Sequence, residues 1–205
     1  MEFHCAVARD SATAHASLTP AERRALGQLH GRARRADWRA GRLAAKRAVA
    51  RALGVPDLCR IEIHSDPSRP PRAFLRSSPT RELDSLALSL AHAGGRAVAA
   101  VTRRGRIGVD LEPAGAVSTD ATKYFTSSDE RSAAPDATVC WVLKEAAWKA
   151  LALTPADPLS SLELVWRGAR VVAVRHSAVE HFVRAFLFPT WPGYLGALLI
   201  VPEAT

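Results

Sequence analysis

Paired cysteines are missing from this chain. It has three, Cys5, Cys59 and Cys140, widely spaced and in no Cys-x-x-Cys arrangement. That pattern speaks against a disulfide framework and against a zinc site, and it suits a reducing compartment. Long apolar runs are missing too. The longest, Tyr194 to Val201, falls far short of the ~20 residues that a membrane-spanning helix needs. The opening residues, Met1-Glu2-Phe3-His4-Cys5-Ala6-Val7-Ala8-Arg9-Asp10, contain no basic segment followed by an apolar one, so no secretory signal is read there. These absences lead to the expectation of a soluble, cytoplasmic protein with no membrane partner.

What is present bounds the rest. At 205 residues and 22.1 kDa the chain holds one sizeable domain or two small ones. Hydrophobic residues at 48% against 23% charged mark a globular chain, not a disordered one. The formal charge is +8, with a sequence pI near 10.2, and arginine carries most of it. Such a surface attracts polyanions: nucleic acid, anionic lipid, a nucleotide-like ligand or an acidic protein. Charge alone does not choose among these, and a solvated arginine-rich surface with no partner gives the same number.

The chemistry concentrates between Ile107 and Lys149. Arg106-Ile107-Gly108-Val109-Asp110-Leu111-Glu112 reads as a strand. Side chains two apart on a strand share a face, so Asp110 and Glu112 lie together while Val109 and Leu111 take the other side. Two such acids repel unless a cation lies between them. Further on, Trp141-Val142-Leu143-Lys144-Glu145-Ala146-Ala147-Trp148-Lys149-Ala150-Leu151 has helical spacing and is apolar round most of its circumference, the mark of a buried helix. Glu145 and Lys149, four apart, then stand on one stripe in a poorly solvated place. Three carboxylates from two elements, with an ammonium one turn away, suit a magnesium ion that also holds phosphate. Taken separately, Asp-x-Glu on a solvated face and an i, i+4 ion pair are both ordinary features.

Along the chain, Phe3 to Val7 reads as a strand. Thr19 caps a very basic helical stretch from Ala21 to Arg35, with Pro20 in its first turn. Asp37 is the expected cap of a second helix, Trp38 to Leu53, stopped by Gly54-Val55-Pro56. Arg39, Arg42 and Lys46 border its apolar side, where they either lean over a cleft or simply snorkel, and Arg47 and Arg51 point to solvent. Arg60 to His64 alternates like a strand. Ser65 to Arg72 reads as a proline-stiffened basic loop, and Ser77 to Thr80 as a second loop. Leu86 to Leu90 and Ala97 to Thr102 read as strands joined by a turn, Ala91-His92-Ala93-Gly94-Gly95. After an irregular stretch from Pro113 to Lys123 and the helix of Glu145, strands are expected at Leu162–Trp166, Val171–Val174, Phe182–Phe188 and Tyr194–Val201, with a seam at Arg103-Arg104-Gly105. No repeat is visible in the letters.

Gly108-Val109-Asp110-Leu111-Glu112 followed by Trp141-Val142-Leu143-Lys144-Glu145-Ala146-Ala147-Trp148-Lys149 resembles the G-[IV]-D-[IVL]-E … W-x-x-K-E-A-x-x-K signature of the 4′-phosphopantetheinyl transferases, in their larger, surfactin-activating branch. Phe125-Thr126-Ser127-Ser128-Asp129-Glu130 resembles that family's F-[ST]-x-x-E segment, and Trp38-Arg39-Ala40-Gly41-Arg42-Leu43-Ala44-Ala45-Lys46 its W-x-A-G-R-x-A-A-K helix. Two segments depart from it. Ser68 stands where the coenzyme A loop before Arg69 usually has glycine, and Ala91 and Ala93 flank His92 where the family has hydroxyl-bearing neighbours.

The resemblance implies an α+β fold made of two similar halves in a pseudo-twofold arrangement, each a small, mainly antiparallel sheet packed with helices. Residues 1–104 would supply coenzyme A-binding elements, and residues 105–205 the magnesium-binding and catalytic ones. The implied activity is Mg2+-dependent transfer of the phosphopantetheine arm of coenzyme A to a serine of acidic acyl or peptidyl carrier proteins of fatty acid, polyketide or nonribosomal peptide pathways. It also implies a monomer that binds no nucleic acid. Asp110, Glu112 and Glu145 would be metal ligands, and Glu145 and Lys149 catalytic. His92, Arg69, Arg42, Lys46 and Lys144 would contact the nucleotide, although Lys144 could instead only brace its helix. Two alternatives stay open on the residues: a magnesium-dependent phosphodiesterase or nuclease, and a non-catalytic relative that binds coenzyme A or a carrier.

Overall fold

The computed structural model describes residues 2–66, 69–76, 78–83 and 85–203. The fold is mixed α+β, and the chain packs as two compact units, Met1–Arg104 and Gly105–Thr205.

In the first unit β1 (Phe3–Arg9) is followed by the short helix α1 (Ala12–Ala16), by α2 (Pro20–Gln28) and by the long helix α3 (Arg32–Leu53). Strands β2 (Ile61–Asp66), β3 (Arg69–Leu75) and β4 (Ser78–Glu82) form one antiparallel sheet. Strands β5 (Ala87–Ala93) and β6 (Arg96–Thr102) join β1 in a second, with the order β1-β6-β5. Helix α3 can lie close because the facing residues are small. Ala40, Ala44, Ala45 and Ala48 are fully buried in one core with Leu43, Val49, Ala97, Ala99 and Val101.

The second unit repeats the plan. Strand β7 (Arg106–Pro113) leads through a 3-10 turn at Thr119–Tyr124 and helix α4 (Ser128–Ala133) to helix α5 (Ala137–Ala150). Strands β8 (Leu162–Arg167), β9 (Arg170–His176) and β10 (Val179–Phe182) form one antiparallel sheet, and β11 (Arg184–Trp191) and β12 (Tyr194–Val201) join β7 in the order β11-β12-β7. In both units the last strand pairs with the first, the penultimate strand pairs with the last, and three middle strands form their own sheet. Among the described residues, no helix is long and apolar enough to cross a membrane.

The repetition extends to single residues. Thr19 and Ser127 each form a capping box with the glutamate three positions on, Glu22 and Glu130. Each glutamate also accepts a hydrogen bond from a strand amide, Ile63 N–H at 3.0 Å and Leu164 N–H at 2.8 Å. Each receives a buried lysine from the long helix of its unit: Lys46 Nζ lies 2.6 Å from Glu22, and Lys144 Nζ 2.9 Å from Glu130. A buried charge is tolerable only when its partners satisfy it fully. Lys46 further donates to the Ser17 carbonyl, and Lys144 to those of Phe125 and Leu162.

Several elements differ from the sequence reading. The helical break falls at Leu29–Gly31, where Gly31 takes a positive φ of 84°, and α3 starts at Arg32. Asp37 therefore lies inside a helix and caps nothing. The stretch around Pro70 and Pro71 is strand, not loop. Both prolines sit opposite the irregularity between His64 and Asp66, outside the paired positions, so their missing N–H groups leave no ladder bond empty. Residues 78–80 likewise belong to β4, and Ser77 lies outside the described residues. His92 stands on β5, because the turn is confined to Gly94-Gly95, both at positive φ. The expected strand Phe182–Phe188 is two strands, parted at Val183, whose N–H bonds the Val172 carbonyl.

Candidate active site

Strand β7 and helix α5 meet at a glycine. A Cβ on Gly108 would overlap the Ala146 carbonyl oxygen and come within 2.7 Å of the Ala150 amide nitrogen. Only a residue without a side chain permits this approach. The same strand face carries Asp110 and Glu112 along the helix toward its N-terminal end, and the contact sets Asp110 against Lys149 and Glu112 beside Trp141.

Asp110 is buried, with 7% of its side chain exposed, and Lys149 Nζ lies 2.7 Å from its Oδ1. The other oxygen, Oδ2, is buried with no hydrogen-bond partner. Lys149 Nζ also stands 3.9 Å from Glu145 Oε2. Burial pushes the Glu145 carboxyl above its usual range; Lys149 opposes the shift and Asp110 adds to it. Glu112 is raised for the same first reason, with Asp110 and Glu145 contributing, while a hydrogen bond from the Trp141 indole works the other way. The mutual influence of the three acids places them in one electrostatic neighbourhood. Beside Glu112 a cleft of about 430 Å³ opens between Trp141 and residues Ala116, Val117, Ser118 and Ala121.

Among the described residues, no three acid, histidine or cysteine side chains close round a single point as ready metal ligands. The donor set nonetheless suits a hard divalent cation: all oxygen, two elements, and one buried carboxylate oxygen with nothing bound to it. Thiol chemistry is a poor competitor. Cys140 is buried and its pKa is pushed up to about 12, while burial also raises Cys5.

In the first unit the structure sets His92 against the middle of α3, at Gly41, the residue before Arg42. The position of Gly41 leaves room for the His92 ring, whose Cδ2 would lie 3.7 Å from a Cβ there. His92 Nδ1 stands 3.9 Å from Asp37 Oδ2, and the Asp37 Oδ1 accepts the Gly95 N–H. Arg42 is 6% exposed, with its guanidinium 4.3 Å from the Trp38 ring centre and its Nε unpartnered. Burial lowers its pKa to about 10, so this cation lacks the solvation it would have at the surface. Arg39 is committed elsewhere, to a two-pronged pair with Asp10 at 2.6 and 2.5 Å. Arg47 is half-buried and Arg51 exposed, and their guanidinium groups reach the Val7 and Cys5 carbonyls of β1.

Two expected nucleotide contacts take another place. Lys46 and Lys144 have no exposed surface and spend their ammonium groups on the paired braces of Glu22 and Glu130. Arg69 is exposed at the start of β3, and Ser68 beside it lies outside the described residues. Sequence reasoning gave no role to Glu22, Glu130, Trp38 or Trp141. The two Ser/Thr-x-x-Glu capping boxes were the available signal for the first pair. No protein-family model matches this chain, and no curated protein matches it.

Proposed function

We propose that the protein transfers the 4′-phosphopantetheine arm of coenzyme A to a serine of an apo carrier protein. The observation that carries this reading is the buried, unpartnered Asp110 Oδ2 beside Glu112, Glu145 and Lys149. Around it stand the sequence segments Gly108–Glu112 and Trp141–Lys149 that resemble the transferase signature.

Asp110, Glu112 and Glu145 would hold a magnesium ion, which supplies neutralisation of the pyrophosphate charge. The remaining work falls to the chain itself. Glu145 takes the proton of the attacking serine hydroxyl. The serine oxygen bonds to the β-phosphorus, the bond from that phosphorus to the bridging oxygen breaks, and 3′,5′-ADP leaves. Lys149 balances the charge that accumulates on the phosphoryl oxygens. On the first unit, His92 and Arg42 with its Trp38 ring are groups of the kind that a nucleotide takes, and exposed Arg69 is a further cation. Three free thiols suit a reducing, cytoplasmic setting.

The test mixes the protein with fluorescent coenzyme A, Mg2+ and several apo carrier proteins, and follows label onto the carrier by gel. Transfer is expected with at least one carrier. No transfer to any of them, together with no binding of coenzyme A, overturns the reading.

A further inference from the structure

The position that a divalent cation would take in the carboxylate cluster is already served by a cation of the chain. Lys149 Nζ lies 2.7 Å from Asp110 Oδ1 and 3.9 Å from Glu145 Oε2, so it touches both elements that supply ligands. It is the only lysine of α5 free to do so, since Lys144 is locked in its brace with Glu130. Asp110 is too buried for water to neutralise it, and its second oxygen has no donor. An ammonium group and a divalent ion repel each other when both crowd one carboxylate.

We propose that Lys149 is an exchangeable stand-in for the metal. It holds Asp110 and Glu145 in register while the site has no divalent ion, and the arriving ion turns its ammonium out of the cluster. This rests on the metal reading given above and adds a regulation to it. The side chain that later meets the phosphoryl oxygens is released only by metal, so the protein offers its anion contact only once the pyrophosphate's counter-ion is in place. Metal and anion then favour one another reciprocally.

The chain contains four lysines, Lys46, Lys123, Lys144 and Lys149. Selective 13C,15N-lysine labelling therefore gives four side-chain signals, and the one absent from Lys149→Arg belongs to Lys149. On titration with Mg2+ alone, that signal is expected to move to the position and mobility of an exposed lysine, while those of Lys46 and Lys144 stay put. Calorimetry run in parallel is expected to show Lys149→Met binding Mg2+ about tenfold tighter than the unmodified chain, equivalent to about 1.4 kcal/mol. Its thermal melt checks that it folds. If Mg2+ binding is detected but the Lys149 signal stays in its paired state, or affinity in Lys149→Met does not rise, the stand-in role is overturned and the metal reading survives. If neither Mg2+ nor Mn2+ binds at millimolar concentration to either protein, both fall together.

Discussion

Lys144 and Lys149 stand five positions apart on α5, and burial assigns them different work. Lys144 has its ammonium surrounded by the Glu130 carboxylate and the carbonyls of Phe125 and Leu162, whereas Lys149 is 26% exposed and faces a cluster that is short of positive charge. Removing one member of a satisfied buried pair leaves the other charge stranded. Lys144→Met is therefore expected to destabilise the protein by about 3–5 kcal/mol in urea unfolding, read by the tryptophans of the second unit. Glu145→Gln should behave in the opposite way: near-native stability and measurable coenzyme A binding, with transfer abolished, since the proposed proton acceptor is lost. A third residue-level expectation concerns acid. The hydrogen bonds from Arg39 hold the Asp10 carboxyl below its usual range near 3.8. A carboxylate depressed in the folded state contributes stability that is complete above the unfolded value and lost as pH falls through the folded one. Thermal melts should thus drop more steeply below about pH 3.8 for the native chain than for Asp10→Asn, and equal slopes there would remove the pair from the stability account. At this scale the acids of the candidate site were legible, because period-two and period-four spacing are visible in letters. The braces were not, because a lysine on an apolar helix reads alike whether it snorkels outward or meets a buried glutamate fourteen or more positions away.

Elements bring these residues together through backbone approach more than through any side chain. The meeting of β7 and α5 depends on Gly108, and a methyl group there has nowhere to go: the Ala146 carbonyl and the Ala150 amide are backbone atoms that cannot rotate aside. Gly108→Ala is expected to cost about 1–3 kcal/mol, the usual range for overpacking a close contact. It should also cost activity disproportionately, because the helix must retreat from the strand that carries Asp110. Transfer rates falling at least tenfold while the melt shifts by only several degrees would bear this out; equal, small losses in both would mean that the contact does not position the site. Element boundaries were the least legible part of the sequence. Asp37 looks like a cap, but the arginines before it favour helix and Gly31 supplies the break. The released Asp37 carboxylate then binds the Gly95 N–H and faces His92. Pro70 and Pro71 likewise suggested a loop, and only the local irregularity of the β2–β3 pairing lets them stand in a strand.

Across the whole molecule the same topology is written twice with opposite charge. Nineteen of the 28 lysines and arginines precede Gly105, but only nine of the 20 acids do. The first unit thus carries a formal charge of +10 and the second −2, which together give the +8 of the chain. The repeat escapes notice in the letters because what it conserves is sparse: a capping box, a buried lysine and a strand order, set among residues that otherwise differ. The composition reading saw the net charge but not its division, and the division matters for what each unit attracts. On the proposed function, a polyanion such as coenzyme A would be steered by the first unit, where Arg23, Arg24, Arg32 and Arg34 are exposed. The second unit, slightly acidic overall, instead sets Asp110 and Glu145 about the Lys149 ammonium. Screening shortens the reach of exposed charges from about 10 Å at 0.1 M salt to about 3 Å at 1 M. Raising NaCl over that range should increase KM for coenzyme A several-fold with kcat little changed. Arg32→Glu with Arg34→Glu should reproduce the rise at low salt and flatten the salt dependence, whereas Arg167→Glu with Arg170→Glu, equally exposed but on the second unit, should leave KM within twofold. Equal effects from the two pairs would mean that net charge, and not its placement in the first unit, draws in the substrate.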